Sequence, residues 1–526
     1  MAGEWWKQGI IYQVYPRSFQ DSDGDGVGDL EGIRRRLGYL KDLGVDGVWI
    51  SPIFASPMAD FGYDISDYRA IDPLFGAMAD FDRLIGEAHR LELKLILDLV
   101  PNHTSDQHPW FRQSRSSRRS PLRDWYIWRD PGPDGAPPNN WLANFGGAGW
   151  EWDEATGQFY YHAYLKEQPD LNWRNPEVRA AMFEVMRFWL DKGVDGFRVD
   201  VLWRLIKDDQ FRDNPPNPDW KKGDPEIDRL LELYSADRPE VHPLVAEMRG
   251  VIDAYPERVL IGELYLPIER MVTYYGPNLD EANLPFNFQL VENPWSAEDV
   301  GRIIRDYEAA LPPGAWPNWV LSNHDRMRLA SRAGPAQARV AAMLLMTLRG
   351  TPTMYYGDEL GLEQVHIPKD RVQDPWARNE PDRGRDPCRT PMPWEKGPNA
   401  GFTTGEPWLP LNDDYEARNV AVQDDDPGSI LSLYRRLIAL RRSSVALTLG
   451  DVEVLRSDGG VLVYERRSGE ARMLIALNFT GRPLTAQARP GRWRRVISTD
   501  AQKPEAQVEH ALELGPDEGV ILERRS

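Results

Sequence analysis

In Gly196-Phe197-Arg198-Val199-Asp200 an arginine and an aspartate stand two positions apart at the end of a hydrophobic run. Val194 to Val199 reads as a strand, where residues i and i+2 point to one face, so Arg198 and Asp200 share a side. A guanidinium beside a carboxylate keeps it ionised and aims it, as a nucleophile requires. Taken alone, such a pair is more often a structural ion pair at a strand end. Three further hydrophobic runs also stop on polar groups: Leu95 to Asn102-His103, Val259 to Glu263, and Trp319 to Asn323-His324-Asp325. Strands that carry polar groups at their C-terminal ends describe the upper face of a (β/α)8 barrel.

In chain order, DLVPNH (98–103), GFRVD (196–200), IGEL (261–264) and SNHD (322–325) resemble the four signature regions of glycoside hydrolase family 13, the α-amylase family. Gln168-Pro169-Asp170-Leu171-Asn172 resembles the additional motif of its α-glucosidase and oligo-1,6-glucosidase branch. The resemblance runs from about Trp5 to the C-terminus, and five ordered motifs are far more specific than one. It implies Asp200 as nucleophile, Glu263 as acid/base, Asp325 as a third carboxylate on sugar hydroxyls, and His103 and His324 as hydroxyl-binding histidines.

Retaining hydrolysis needs one carboxylate to attack the anomeric carbon and a second carboxyl to protonate the departing oxygen. Asp200 has Arg198 to keep it charged, whereas Glu263 has no basic neighbour in sequence, which suits a glutamate that holds its proton near neutral pH. Phe61-Gly62-Tyr63-Asp64 resembles the family's sugar platform, with Tyr63 stacking on the ring and Asp64 taking hydroxyls at the non-reducing end. Arg389 resembles the partner of Asp64, and such a pair would close the pocket beyond one glucose; a salt bridge tying two loops is the plainer alternative. Arg326 stands where many of the branch carry Gln and is expected near the aglycone. Val201, next to the nucleophile, goes in that branch with α-1,6 linkages.

The resemblance therefore implies an exo-acting, retaining α-glucosidase acting on isomaltose, sucrose-like substrates and maltose, with transglucosylation. A transglucosylase such as a sucrose isomerase or amylosucrase shares the same intermediate. A non-catalytic sugar-binding protein on the same fold is the alternative from another class, and the presence of all three carboxylates and Arg198 disfavours it.

Asp21-Ser22-Asp23-Gly24-Asp25-Gly26-Val27-Gly28-Asp29 sets carboxylates at loop positions 1, 3, 5 and 9 with Gly at 6, the first half of an EF-hand-like loop. Gly32 replaces the glutamate expected at position 12, so an ordinary EF-hand is ruled out. Family relatives hold one Ca²⁺ in such a loop, which implies Asp21, Asp23, Asp25, the Val27 carbonyl and Asp29 as structural ligands, with Mg²⁺ as the other candidate ion. A solvated acidic turn is the alternative.

The elements that must position these groups alternate as strands and helices. Gly9–Tyr15, Val45–Ile50 and Leu93–Val100 read as the first three strands, and a helix over Asp29 to Gly44 puts Leu30, Ile33, Leu37, Leu40 and Leu43 on one stripe. This predicts a parallel sheet with right-handed crossovers. The alternation breaks between Asn102 and Trp173, a stretch rich in Pro, Gly, Asn and Trp with a predicted hairpin over Glu151 to Tyr164. The expected organisation is a barrel over 1–101 and 174–445, an inserted domain over 102–173 after strand 3, and a C-terminal all-β domain over 446–526. Asn283 to Phe288 is the weakest of the predicted barrel strands.

With 526 residues and 41% apolar content the chain can bury a large core. Its net charge of −19 argues against nucleic acid and anionic lipid. No apolar run approaches the ~20 residues of a membrane span. Cys388 is the only cysteine, which excludes an internal disulfide, and Met1 to Trp6 shows no secretory pattern, so a cytoplasmic location is expected. The expected partner is a small oligosaccharide or disaccharide; oligomeric state is not readable.

Overall fold

The computed structural model describes residues 4–509 and 511–524; residues 1–3, where the reading of a missing leader begins, and the last two of the chain lie outside this range. Eight parallel strands form one sheet: β1 (Ile11–Val14), β2 (Gly47–Ile50), β3 (Lys94–Leu99), β4 (Gly196–Val199), β5 (Val259–Gly262), β6 (Leu284–Pro285), β7 (Asn318–Val320) and β8 (Thr351–Tyr355). Consecutive strands pair from β1 to β6, β7 pairs with β8, and β8 returns to β1, so the barrel closes except between β6 and β7. The weakest predicted strand is indeed the shortest, two residues paired to Ile261 and Gly262.

Helices between the strands lie outside the barrel and bury one face against it. The first, Leu30–Leu43, buries Leu30, Ile33, Leu37, Leu40 and Leu43, the predicted stripe. Asp29 caps its N-terminus by accepting the Gly32 N–H, and Gly44 ends it at φ 98°, a left-handed conformation that suits glycine. Inside the barrel, Ile11, Trp49, Ile96, Val259, Ile261, Leu284 and Val320 fill a second apolar cluster. Strands buried on both faces explain the near-continuous hydrophobic runs in the sequence.

After β3 the chain leaves the barrel and returns at helix Pro176–Asp191. In between, Trp128–Arg129, Gln158–Tyr161 and Trp150–Asp153 make a three-stranded antiparallel sheet, and Gly157 at φ 61° turns the predicted hairpin. The sequence did not foretell the small strand pair Phe54–Ala55 and Asp67–Ile71, which brackets the 56–66 loop. Beyond helix Ile430–Ser443, the chain forms a six-stranded and a two-stranded sheet. The six-stranded sheet packs on helix Pro335–Thr347: Arg339 donates to the Thr499 carbonyl and Gln337 to that of Asn478.

Gly196 is needed where it stands. A Cβ there would meet the Val259 carbonyl oxygen at 2.3 Å, so any side chain would push β4 from β5. Gly196→Ala is expected to lower stability by ~1–3 kcal/mol, as overpacking does, and to lower kcat at the same time, because the residues at the ends of both strands move. Denaturant unfolding and initial rates measure both; a variant with the parent midpoint and rate would show that the close approach of β4 and β5 is not required.

Candidate active site

The strand ladder continues past the strand ends and fixes the acidic residues. Asp200 N–H donates to the Leu99 carbonyl at 2.8 Å, and Glu263 N–H to that of Val199 at 3.0 Å. Asp98 on β3 lies directly opposite Arg198 on β4. One fully buried guanidinium thus meets three carboxyls: Arg198 Nη1 donates to Asp98 Oδ1 and Asp200 Oδ1, each at 2.8 Å, and Nη2 pairs with Glu263 Oε1 at 2.5 Å. Glu263 therefore has a basic neighbour in space that it lacks in sequence.

Burial is the first cause that raises the pKa of Asp200, with Glu263 adding to it and Arg198 opposing it. Glu263 is likewise raised by burial, opposed by Arg198 and by the Val201 N–H that Oε2 accepts at 2.8 Å. Burial pushes Asp98 up to about 7 against the same guanidinium. One buried cation shared by three buried carboxyls offsets only part of the cost of burial, so Asp200 and Glu263 behave as a coupled pair whose affinity for a proton is raised above that of ordinary carboxylates. One carboxylate and one carboxylic acid side by side is the state that attack plus protonation requires.

Asp325 is different. Burial works to raise it, but His324, Arg385 and Arg389 outweigh burial and hold it well below the usual carboxylate range. Burial also keeps His324 itself neutral, so the arginines carry the effect: Arg389 Nη2 lies 2.9 Å and Arg385 Nη1 3.2 Å from Asp325 Oδ1.

Tyr63, His103, Asp200, Val201, Glu263, Asp325 and Arg326 line one cavity of about 350 Å³. His324 lies just behind, stacked on Tyr63 at 5.5 Å, with Nε2 2.6 Å from Tyr63 Oη and Nδ1 2.8 Å from Gln13. Burial lowers His103 to about 4, so it too stays neutral and acts as a hydrogen-bonding group. Val201 adopts a left-handed backbone, φ 40° and ψ 46°, unusual for a β-branched side chain and the reason its N–H can point at Glu263. Arg326 lies at the mouth, 4.6 Å over the Tyr265 ring and 3.3 Å from Glu292.

The expected pairing of Asp64 with Arg389 is not formed. Asp64 is fully buried, bonded within its own loop, and does not line the cavity; Arg389 stands behind Asp325 and donates to the His324 carbonyl. Asp60 and Arg385 occupy the far end instead, 2.6 Å apart, with Gln168 donating to Asp60 Oδ2 at 3.2 Å. Asp60 and Asp64 flank the same Phe61-Gly62-Tyr63, and nothing in the sequence says which of the two faces the pocket. Asp98 belongs to the first motif, but its partner Arg198 lies on another strand, so the sequence does not show the pair; Tyr265, Trp203 and Glu292 at the mouth carry no sequence signal of their own.

Away from the pocket, Asp21, Asp23 and Asp29 bring carboxylate oxygens within 4.8 Å of one another. Asp25 is not in that group: its Oδ1 accepts the Val27 N–H at 2.8 Å and its side chain is exposed.

Residues 13–450 match the family described as "Alpha amylase, catalytic domain", and residues 453–522 match "Alpha amylase, C-terminal all-beta domain". The chain is similar, at 43% identity over 92% of its length and 91% of the relative's, to a "Probable alpha-glucosidase" of Rhizobium meliloti (strain 1021). It is 40% identical, over 91% of both chains, to an "Oligo-1,6-glucosidase" of Parageobacillus thermoglucosidasius. Among solved structures, an "alpha-glucosyl transfer enzyme" superposes with a TM-score of 0.95 at 42% identity, over 99% of both chains. Barrel, strand-end carboxyls and C-terminal sheets agree with these matches along nearly the whole sequence, and the chain belongs to the α-amylase family of glycoside hydrolases.

Proposed function

We propose that the protein is an exo-acting, retaining α-glucosidase that releases α-glucose from the non-reducing end of short α-glucosides and also transfers glucose to sugar acceptors. The observation that carries the reading is the pocket's shape: Asp60 and Arg385 close its far end, with Asp374 buried behind Arg385 at 2.7 Å. At about 350 Å³ the cavity is at the small end of ligand pockets, ~300–1,000 Å³, which fits a disaccharide end and rejects the interior of a polymer. Asp200 attacks the anomeric carbon, Glu263 protonates the leaving oxygen, Asp325 with Tyr63 and His103 grips and orients the ring, and Arg198 aims the two reacting carboxyls from beneath.

Transfer is supported by the mouth, where Trp203 and Tyr265 offer aromatic faces to a second sugar that competes with water for the glucosyl-enzyme. The similarity to an alpha-glucosyl transfer enzyme points the same way. No helix among the described residues is long and apolar enough to cross a membrane, and the lone, buried Cys388 is compatible with a reducing cytoplasm.

The role assignment is tested with an activated aryl α-glucoside, whose leaving group needs little acid help. Glu263→Gln is expected to form a glucosyl adduct on Asp200 from it and to stall on natural disaccharides, while Asp200→Asn forms none. Mass spectrometry that finds no adduct on Asp200 in the glutamine variant reverses the assignment.

Val201 is proposed to favour α-1,6 over α-1,4 bonds by offering an apolar, branched wall to the leaving sugar. Thr is also β-branched, so Val201→Thr keeps the strained backbone and changes only a methyl to a hydroxyl. A few such contacts are worth ~1–3 kcal/mol. The kcat/KM ratio of isomaltose to maltose is expected to fall in the variant by roughly tenfold; an unchanged ratio removes Val201 from the preference.

The carboxylates of Asp21, Asp23 and Asp29, with Asp25 and the Val27 carbonyl as the family pattern implies, are proposed to hold Ca²⁺ or Mg²⁺ in a structural site. The hard oxygen donors fit either ion. The clustered carboxylates at the start of the first helix repel one another without it, and a ligand that binds only the native state raises its stability. A chelator should lower the melting temperature while leaving the turnover of folded enzyme nearly unchanged. An unchanged melting temperature together with metal-free protein by elemental analysis would discard the site.

A further inference from the structure

Asp60 and Asp64 sit four residues apart with opposite surroundings. Asp60 lines the pocket and meets Arg385, whereas Asp64 faces inward with no exposed surface. All of the Asp64 contacts are to its own loop: Oδ2 accepts the Ala59 N–H at 2.8 Å, and Oδ1 accepts the Asp60 N–H at 2.9 Å and the Ser56 hydroxyl at 3.0 Å. Ser56 Oγ in turn accepts the Met58 N–H at 2.9 Å.

That loop has a conformation its sequence disfavours. Met58 stands at φ 64° and Phe61 at φ 49°, left-handed positions for residues other than glycine, with Gly62 at φ 104°. Such positions persist only where the surroundings over-determine them. From the other side Arg17 stacks over Phe61 at 5.0 Å and touches Met58, but only Asp64 binds the two consecutive N–H groups that fix the direction of Asp60.

We infer that Asp64 is the positioning residue of the non-reducing-end subsite: its carboxylate holds residues 56–62 in the strained turn that presents Asp60 to Arg385 and the sugar. The inference rests on the α-glucosidase reading of the pocket. Asparagine cannot replace it, because three donors converge on two oxygens and an amide supplies one. Asp64→Asn thus removes at least one acceptor with almost no change of volume.

The test is a double-mutant cycle on kcat/KM for an aryl α-glucoside, using the parent, Asp64→Asn, Asp60→Ala and both together, with melting temperatures recorded. Asp64→Asn is expected to lower kcat/KM on the order of tenfold, mostly through KM, the scale of one lost buried hydrogen bond. In the Asp60→Ala background the same change should have no further effect, since an arm that no longer bears its carboxylate needs no aiming. A purely structural role would lower kcat/KM by the same factor in both backgrounds, and that outcome overturns the inference. If Asp60→Ala itself keeps the parent kcat/KM, the reading of the pocket falls instead. Should Asp64→Asn not fold, Ser56→Ala, which removes one donor, runs through the same cycle: an effect lost in the Asp60→Ala background supports the positioning role, and an additive effect overturns it.

Discussion

Arg198 faces Asp98, Asp200 and Glu263 from a fully buried position, so three carboxyls compete for one positive charge that water does not reach. Charges removed from water are expensive unless paired and hydrogen-bonded. The guanidinium pairs with all three acids, but they outnumber it, and burial raises the affinity of each for a proton. Catalysis by two carboxyls in different protonation states follows from that imbalance. Asp325, paired with Arg389 and with an Arg385 that it shares with Asp60 and Asp374, stays outside the exchange and remains a fixed anion.

The remainder of the molecule holds this arrangement in place. β4 carries Arg198 and Asp200 between β3, with Asp98, and β5, with Glu263, and the ladder extends one residue beyond each strand to fix the backbone of both reacting groups. The inserted segment is locked to the same level: Lys207 Nζ bridges Asp170 at 2.5 Å and Asn102 at 2.7 Å, and Gln168 reaches Asp60. A motif that in the sequence is one more signature of the branch is therefore the clasp between inserted sheet and barrel.

How much of this the sequence shows depends on whether a residue's neighbour is near in the chain. Arg198 and Asp200 share a face through strand periodicity alone, and the barrel follows from strands and helices that alternate. The carboxyls at the ends of β4, β5 and β7 are legible for the same reason. Glu263 looks free of basic neighbours in the sequence because its neighbour comes from another strand. Asp64 reads as a sugar ligand because a carboxylate beside Gly62-Tyr63 can turn inward or outward, and the left-handed backbone at Met58 and Phe61, which decides it, leaves no mark on residues other than glycine. Arg385 and Arg389 lie four apart in a long irregular loop with no periodicity to say which faces the pocket. β6 shrinks to two residues because its partner on one side is missing.

Asp200 and Glu263 act on one sugar from the two ends of a single guanidinium, one as nucleophile and one as acid, and on this central claim the mechanism stands. Carboxyls held on the same guanidinium are close, and a short separation, ~5–5.5 Å, belongs to retaining enzymes, whereas ~6.5–9.5 Å leaves room for the water of an inverting one. Proton NMR of the first glucose released from isomaltose, recorded before mutarotation, measures the outcome directly. The α-anomer is expected as the initial product, and a β-anomer would contradict the claim.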